Sequence, residues 1–216
     1  MLLPALGKAK EKAKGIKCIS NKRQLGIATL LYKDNNEESL VPLAVDDPDL
    51  TDKFVEDDRE GGIRWWPDLL EVYTQDRHVN QCPSVKSQDA FGIGLDYHEL
   101  SVWRPKPGQE IKFATVNQPV ATVHLADSAV ISNPSEEDAN KWKPPTDPSK
   151  QWTVFRTVFF RTPNNGSYNS LPSRIGNRHG GRASMLWGDG HASAETAGSV
   201  GFNLPRGHDR AFWDRG

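Results

Sequence analysis

The sequence predicts an α+β fold, in which one long N-terminal helix packs on an antiparallel sheet with long connecting loops. Three observations support this prediction. Apolar residues recur at helical spacing within residues 5–34, and strand-like runs of β-branched and aromatic residues follow after residue 118. A content of 18 Gly and 15 Pro favours strands, turns and loops over a helical bundle. With 216 residues, the chain is long enough for one domain with a sizeable core.

Residues 5–34 are predicted to form one helix, of which only the second half packs on a core. Up to Lys14 the segment is rich in Ala and Lys after Leu6, so it favours a helix but offers little to bury. At about 1.5 Å per residue such a helix is roughly 45 Å long, more than the width of a small domain. The first half is therefore expected to protrude. The second half carries an apolar series at three- and four-residue steps, Ile16, Ile19, Arg23, Ile27 and Leu30, widened by Cys18, Leu25, Ala28 and Tyr32.

The remainder of the chain, residues 35–216, is predicted to form a head that makes a single domain with the helix at residues 1–34. Polar residues at 34–36 end the helix, and an acidic, irregular loop follows. Residues 65–73 predict a short second helix, because a proline in the first helical turn gives up no hydrogen bond. The sequence Cys-Pro-Ser at 82–84 predicts a turn.

Two strands and a hairpin are predicted after residue 118. Side chains alternate along residues 119–127, and residues 153–161 are β-branched and aromatic. Residues 132–150, rich in Pro, Asp, Ser and Lys, predict a surface insertion. Residues 183–195 are two strand-like runs around Gly-Asp-Gly, a pattern that predicts a β-hairpin because such a turn requires positive φ. The tail after residue 198 has no regular pattern.

Charge and motifs exclude several classes of function. The formal net charge of −1 gives no reason to expect nucleic acid as a partner. The sequence has no Gly-x-Ser-x-Gly elbow, no phosphate-binding Gly-rich loop with Lys and no His-Glu-x-x-His pair. The chain is therefore predicted not to be an enzyme. It also lacks any apolar run of about 18 residues or more, the length that would span a bilayer.

Three motifs occur in a characteristic order. Residues 18–26 read CISNKRQLG within the basic helix, and residues 82–84 read CPS. Near the end, nine residues separate His179 from Asp189-Gly190. Together these motifs resemble the pseudopilin-like family that has a prepilin-type N-terminal methylation segment and a C-terminal His-x9-Asp-Gly motif. His179, Asp189, Gly190 and His191, with Asp127 in a matching Leu-Ala-Asp-Ser stretch, are the residues that carry the C-terminal resemblance.

The resemblance implies a pilin-like fold and a structural role. The protein would be a pseudopilin-like subunit of a type II secretion or pilus-related fibre that displays a globular head. Its partners would be other pseudopilin subunits, contacted through the N-terminal helix, and the secretion or pilus assembly machinery. No cofactor is implied.

The resemblance also implies a membrane anchor upstream of Met1. About twenty apolar residues, enough to span a bilayer, would continue the helix, and Pro4 would kink it. The protein would then be anchored in the inner membrane with its head in the periplasm, or lie in an extracellular fibre, whereas the chain without its anchor would be soluble. Lys22-Arg23 departs from the family pattern, which has an apolar residue followed by a basic one.

Cys18 and Cys82 are candidates for one disulfide in an oxidising compartment. The bond would close a loop of about 65 residues and contribute roughly 4 kcal/mol in the chain-entropy model. The alternative is a pair of buried free thiols. Two cysteines are too few for a zinc site made of cysteine alone.

His179, Asp189 and His191 are not expected to form a metal or catalytic cluster. If the residues between His179 and Asp189 form one extended strand, these two side chains lie up to about 30 Å apart. The Asp-Gly pair is explained by its turn alone. If the strand that ends at Asp127 pairs antiparallel with residues 182–188, Asp127 comes near His179, and we expect these two side chains to be in contact.

A second hypothesis is a membrane-anchored extracytoplasmic binding module for calcium or polysaccharide. Asp46, Asp47, Asp49 and Asp52 are weak candidates for calcium ligands, because no fixed spacing with a central Gly accompanies them. A solvated acidic loop is the alternative.

Polysaccharide binding would require exposed aromatic rings. Four tryptophans in loop-like sequence are candidates for such stacking faces, and core packing is the alternative role for each. They are Trp103, Trp142, Trp152 and Trp213.

Overall fold

A computed structural model describes residues 2–49, 62–85, 91–144 and 157–216. As predicted, the fold is α+β, with one long N-terminal helix packed on a mostly antiparallel sheet. Among the described residues, no helix combines the length and the apolar character needed to cross a membrane. The helices are α1 (Leu2–Asn35) and α2 (Trp66–Thr74), and the strands are β1 (Ala44–Asp46), β2 (Ile63–Trp65), β3 (Ile93–Tyr97), β4 (Val123–Val130), β5 (Phe159–Arg161), β6 (Ser173–Ile175), β7 (Ala183–Trp187) and β8 (Ala192–Glu195).

The main sheet is built around β4, whose eight residues are all buried. The strand order is β5-β3-β4-β7-β8, and β6 pairs with the C-terminal end of β4. The pair β3–β5 is parallel and the other pairs are antiparallel. Strands β1 and β2 form a separate two-stranded ribbon. The antiparallel pairing of β4 with β7 is the one that the expected contact between Asp127 and His179 required.

The two faces of the sheet are covered by different parts of the chain. On one face, α1 and α2 pack with Trp65, Trp66 and the sheet residue Leu186. On the other, the C-terminal tail packs against Met185 and its neighbours, and Trp213 is fully buried there. Successive strand residues point to opposite faces, so β7 contributes to both clusters. The tail is irregular, as predicted, yet it completes the second core.

The predicted hairpin and second helix are confirmed. Strands β7 and β8 meet at a turn in which Gly190 has φ of +90°, and its N–H donates to the Trp187 carbonyl at 2.9 Å. Helix α2 begins with Pro67 in its first turn. The Cys-Pro-Ser turn is also present, since the N–H of Val85 donates to the Cys82 carbonyl at 3.0 Å.

Other predicted boundaries differ from the structure. The strand predicted at 119–127 begins only at Val123, because Pro119–Ala121 form a single 3-10 turn, and it continues to Val130. Of the strand predicted at 153–161, only β5 belongs to the described residues. The predicted insertion at 132–150 is described as far as residue 144, where it is a loop with a 3-10 turn at Ala139–Lys141.

Helix α1 protrudes as predicted, but the face it buries differs from the prediction. Residues 5–13 are exposed, and burial begins beyond them. Ile16 and Ile27, expected in the core, are 69% and 61% exposed. The expected apolar series is therefore wrong at these two positions and at Arg23, which is also exposed. The buried face consists of Cys18, Asn21, Lys22, Leu25, Ala28 and Thr29.

Close approach and polar pairing explain this choice of face. A side chain at Gly26 would overlap the carbonyl oxygen of Gly190, so the absence of one lets α1 lie directly on the β7–β8 turn. Lys22 and Cys18 donate hydrogen bonds to Asp127 of β4, which lies against the buried face of the helix. Hydrophobic periodicity considers apolar side chains alone and takes account of neither feature. For this reason the sequence pattern favoured the face that contains Ile16 and Ile27.

Candidate functional site

A cluster of ionisable side chains lies buried between α1 and the sheet. Asp127, in the middle of β4, is fully buried. Cys18 and Lys22 face it from α1, where residues four apart lie on the same side of the helix. Cys82 comes from the turn that precedes β3, and His179 from the loop that precedes β7. We call these five residues the junction cluster, because they join the helix to the head.

Asp127 is the hub of the junction cluster. Its Oδ1 accepts hydrogen bonds from Cys18 Sγ and Lys22 Nζ, each at 3.1 Å. Its Oδ2 accepts from the backbone N–H of Ser184 at 2.7 Å and lies 3.3 Å from His179 Nε2. The expected contact between His179 and Asp127 is therefore confirmed. Four partners satisfy a carboxylate that burial would otherwise destabilise strongly.

The two cysteine sulfurs approach each other across the junction cluster. Cys82 Sγ lies 3.4 Å from His179 Nε2, and one ligand atom from each of Cys18, Cys82, Asp127 and His179 lies within 4.8 Å of the others. Both cysteines are buried free thiols in the structure, which is the alternative to the disulfide. A disulfide between them stays a prediction, since the sulfurs are neighbours but not bonded.

The loops that carry Cys82 and His179 are held by their own hydrogen bonds. Asn21 of α1 donates to the Gln81 carbonyl at 3.1 Å, and the N–H of Cys82 donates to the Phe91 carbonyl at 2.7 Å. Arg178, next to His179, donates to the carbonyl oxygens of Gly92 at 2.9 Å and Ser128 at 2.7 Å. The polar atoms of the junction cluster are thus placed by the backbone of β3, β4 and α1.

The charges and hydrogen bonds within the junction cluster shift the pKa of each of its five ionisable side chains. Burial opposes ionisation of Asp127, but Lys22 and the hydrogen bond from His179 outweigh it and hold the pKa of that carboxyl far below its usual range. Burial likewise opposes the charge on Lys22, but Asp127 outweighs it and raises the pKa of the ammonium. For His179, hydrogen bonds to Asp127 and Cys82 overcome burial and raise the pKa to about 9.

The two thiols are driven in opposite directions. Contact with the Cys18 thiol, helped by His179 and Arg178, lowers the pKa of Cys82 to about 4 against the effect of burial. Contact with Cys82, burial and the nearby Asp127 together raise the pKa of Cys18. Cys82 is therefore the more acidic of the two thiols, and Cys18 keeps its S–H for the hydrogen bond to Asp127 Oδ1.

His179 lies at the edge of a groove beside the protruding part of α1. The groove has a volume of about 710 Å³, and its walls are formed by residues 7–19 of the helix together with Gly180, Ser184 and Ala194. Only 6% of the His179 side chain is exposed. A Cβ at Gly15 would lie 3.3 Å from that of His179, so this glycine lets the imidazole pack directly on the helix.

The remaining residues of the C-terminal motif lie apart from the junction cluster. Strand β7 separates His179 from Asp189 and His191, as expected. Asp189 Oδ1 lies 2.6 Å from His191 Nδ1 and accepts the His191 N–H at 3.0 Å. This pair and the positive φ of Gly190 define a turn beneath α1, and neither Asp189 nor His191 belongs to the junction cluster.

The acidic calcium candidates are engaged with arginines or lie outside the described residues. Asp46 lies 2.5 Å from Arg104 Nε, and Asp47 lies 2.6 Å from Arg64 Nη2. Asp49 is exposed, and Asp52 lies outside the described residues. In the described ranges, the junction cluster supplies the one group of three or more ligand-type side chains. Pro4 lies within α1, and the predicted kink there stays a prediction.

The tryptophans proposed as stacking faces are mostly buried. Trp213 is fully buried and Trp142 is 6% exposed, so neither offers an exposed stacking face. Trp103 is half-buried and packs on Trp65 with a ring separation of 4.9 Å, while Trp152 lies outside the described residues. Core packing therefore accounts for the first two, because their neighbours are the strands and the C-terminal tail.

Two functional features were missed from the sequence. Lys22 was noted only as a departure from the family pattern, yet it is fully buried and neutralises Asp127. The available signal was its position four residues after Cys18, on the face that Leu25 and Ala28 continue. Asp96 and Glu99 form a second buried acidic pair, and burial is the main cause that raises the pKa of each. Glu99 is held by Arg206 at 3.4 Å, so this pair ties the tail to the end of β3.

Comparisons with protein-family models, with curated proteins and with solved structures find no match to this chain.

Proposed function

We propose that the protein is a pseudopilin-like structural subunit of a type II secretion or pilus-related fibre. The observation that supports this function best is the division of α1 into two faces. One face attaches the head through the junction cluster, and the opposite face leaves an apolar series exposed. A helix that serves only one domain has no need of a second apolar face.

Four exposed apolar residues lie along α1, away from its buried face. We call Leu6, Ile16, Ile27 and Leu31 the outer stripe; their side chains are 67%, 69%, 61% and 42% exposed. Ile16 and Ile27 are eleven residues apart, about three helical turns, so they lie on one side of α1, and Leu31 continues that side one turn on. Cys18 and Leu25, on the other side, are fully buried. The occupant that fits a narrow apolar stripe is another helix, and we assign it to α1 of a neighbouring subunit.

The charge of the protruding half fits an anchor upstream. Lys8, Lys10 and Lys12 are exposed and precede the part of α1 that packs on the head. If an apolar segment continues the helix upstream into the inner membrane, these charged lysines lie outside the hydrocarbon core, at the periplasmic surface of that membrane. The head would then face the periplasm or, after extraction, the outside of a fibre. The assembly machinery would act on the helix rather than on the head.

The test is incorporation of outer-stripe variants into fibres. The full-length protein, expressed in its native cells, would carry Ile16→Asp with Ile27→Asp. Val72→Asp is the matched control, because Val72 is 71% exposed on α2. We expect the double variant to remain folded in the membrane fraction but to be lost from sheared surface fibres, whereas the control is retained. Equal amounts of both variants in the fibres would contradict the proposed function.

A second test is the native coding sequence upstream of Met1. A basic leader, a peptidase junction and about twenty apolar residues would support the anchor. An ordinary cleavable signal peptide would contradict it and would favour a secreted binding module.

A further inference from the structure

The junction cluster has the composition and the spacing of a metal site. Two thiols, an imidazole and a carboxylate converge from α1, the turn before β3, strand β4 and the loop before β7. Their ligand atoms all lie within 4.8 Å of one another. Cys18 and Asp127 are fully buried, Cys82 is 2% exposed, and the side chain of His179 is 6% exposed. These four ligands, of three chemical types, come from distant parts of the sequence and meet in the core.

The distances suit a tetrahedral ion. With bonds of about 2.0–2.3 Å, neighbouring ligand atoms around tetrahedral zinc lie about 3.3–3.8 Å apart. In the structure Cys82 Sγ lies 3.4 Å from His179 Nε2, and His179 Nε2 lies 3.3 Å from Asp127 Oδ2. Cys18 Sγ lies 3.1 Å from Asp127 Oδ1. The other separations are at most 4.8 Å, so the four ligand atoms would have to move closer together by about 1 Å or less to surround one ion.

We propose that Cys18, Cys82, Asp127 and His179 bind one zinc-class divalent cation that clamps α1 to the head. Thiolate and imidazole ligands select zinc over calcium or magnesium, which prefer oxygen. Four protein ligands leave no open coordination position, so the site is structural rather than catalytic. The ion joins the helix to β4 and to two loops at once.

Binding balances in protons and charge. Each cysteine binds as a thiolate and His179 through an unprotonated ring nitrogen, so every proton on a ligand atom, including the one that Cys18 donates to Asp127, leaves to solvent as the ion enters. The doubly charged ion takes the place of those protons at the ligand atoms. No electron is transferred.

Lys22 remains in place beside the bound ion. Its Nζ lies 3.1 Å from Asp127 Oδ1 and 4.0 Å from Cys18 Sγ, so it can donate to both ligands. Two thiolates and one carboxylate carry three negative charges, of which the divalent ion neutralises two. The Lys22 ammonium neutralises the third. Lys22 is thus a positioning residue and an outer partner of the ligands, not a ligand.

In a fibre subunit the bound ion would strengthen the attachment of the head to α1 at the junction cluster, and this one consequence rests on the proposed function. Metal binding itself can be tested on the isolated chain and does not depend on fibre assembly.

Cobalt titration of the reduced chain tests the site directly. The 216-residue chain, kept reduced with a phosphine and freed of metal by a chelator, would be titrated with Co²⁺ as a spectroscopic probe. We expect one equivalent to produce thiolate-to-cobalt charge-transfer absorption and the visible bands of tetrahedral cobalt, and Zn²⁺ to displace it. Zinc should also raise the Tm of the chain.

Variants assign the ligands. Cys82→Ser and His179→Gln should each weaken Zn²⁺ binding by more than the roughly 10- to 100-fold that loss of an outer partner costs, whereas Lys22→Met should fall within that range. His191→Gln is the matched control, since this exposed histidine of the β7–β8 turn should leave affinity unchanged. Circular dichroism identifies any variant that fails to fold. For the wild type, zinc should slow alkylation of Cys82, and a chelator should restore the rate.

Three results would overturn the proposal. One is the absence of both the cobalt spectrum and a zinc-dependent Tm in the reduced wild type. Another is a spectrum that survives in both Cys82→Ser and His179→Gln. The third is a chain that, isolated from its own oxidising compartment, contains a Cys18–Cys82 disulfide and no zinc. None of these results bears on whether outer-stripe variants enter fibres.

Discussion

The two faces of α1 differ in whether their residues have partners within the chain. The face toward the head contains Cys18, Asn21 and Lys22, and it is buried. The face toward solvent contains Ile16 and Ile27, and it is exposed. The buried polar residues Cys18 and Lys22 have a specific partner in Asp127, and Leu25 beside them packs in the core. For the exposed isoleucines we propose a partner in a neighbouring subunit, so that the helix would have one attachment within the chain and one between chains.

Among substitutions on the buried face of α1, removal of the buried cation Lys22 is expected to destabilise the protein most. Lys22→Met leaves Asp127 without its ammonium partner inside the core, and losing one partner of a buried pair costs about 3–5 kcal/mol. Denaturant unfolding of the reduced chain would measure this loss. Arg23→Met, at the next and exposed position, should change stability by about 0.5 kcal/mol or less. Comparable effects at both positions would contradict a buried, paired Lys22.

Low pH is expected to affect two buried groups of β4, Asp127 and His124, differently. Asp127 has four partners, whereas His124 Nε2 has none among the described residues. Burial lowers the pKa of His124 from 6.5 to about 4. Because the folded pKa is the lower one, the stability this histidine contributes is present above pH 6.5 and is lost as the pH falls toward 4. The loss amounts to about 3 kcal/mol.

The check is a comparison of two histidine variants. His124→Leu should flatten the fall in unfolding free energy between pH 6.5 and 4 relative to the wild type. His208→Leu, at an exposed position, should leave that fall unchanged. Parallel pH profiles for wild type and His124→Leu would show that the histidine does not titrate as a buried group.

The close packing of α1 on the β7–β8 turn can be tested by substituting Gly26. Gly26→Ala places a methyl group against the Gly190 carbonyl and 2.8 Å from Leu186 Cδ1, and such overpacking costs about 1–3 kcal/mol. Gly7→Ala meets nothing within 4 Å and should not destabilise, since alanine favours the helix over glycine. Thermal unfolding separates the two variants. A neutral Gly26→Ala would mean that α1 does not lie directly on the β7–β8 turn.

The outer stripe should give the smallest effect on the isolated chain. Ile27→Ala removes an exposed side chain and should change stability by about 0.5 kcal/mol or less. Leu25→Ala, two residues away and fully buried, should cost about 2–5 kcal/mol. Denaturant midpoints provide the measurement. A large loss for Ile27→Ala would place this residue in the core and remove the outer stripe.

The sequence predicts local structure and one long-range contact here, and it fails where burial is polar. Helix α1, helix α2 and the β7–β8 hairpin each follow from patterns within a few residues, and the contact of Asp127 with His179 follows from antiparallel pairing. Lys22 could not be placed, because a lysine is buried only when a partner, here 105 positions away, neutralises it. Cys18 and Cys82 were paired from the sequence as disulfide candidates, but their meeting with Asp127 and His179 depends on the tertiary fold.

Cysteine cross-linking along α1 tests the two-faced helix most directly. The full-length protein in its native cells would carry a single new cysteine, Ile16→Cys or Ile27→Cys, with Val72→Cys as the control. If α1 faces another subunit, oxidation of isolated fibres should produce covalent dimers at the two α1 positions and none at Val72. Dimers that are absent at both Ile16 and Ile27, or equally abundant at Val72, would contradict the account.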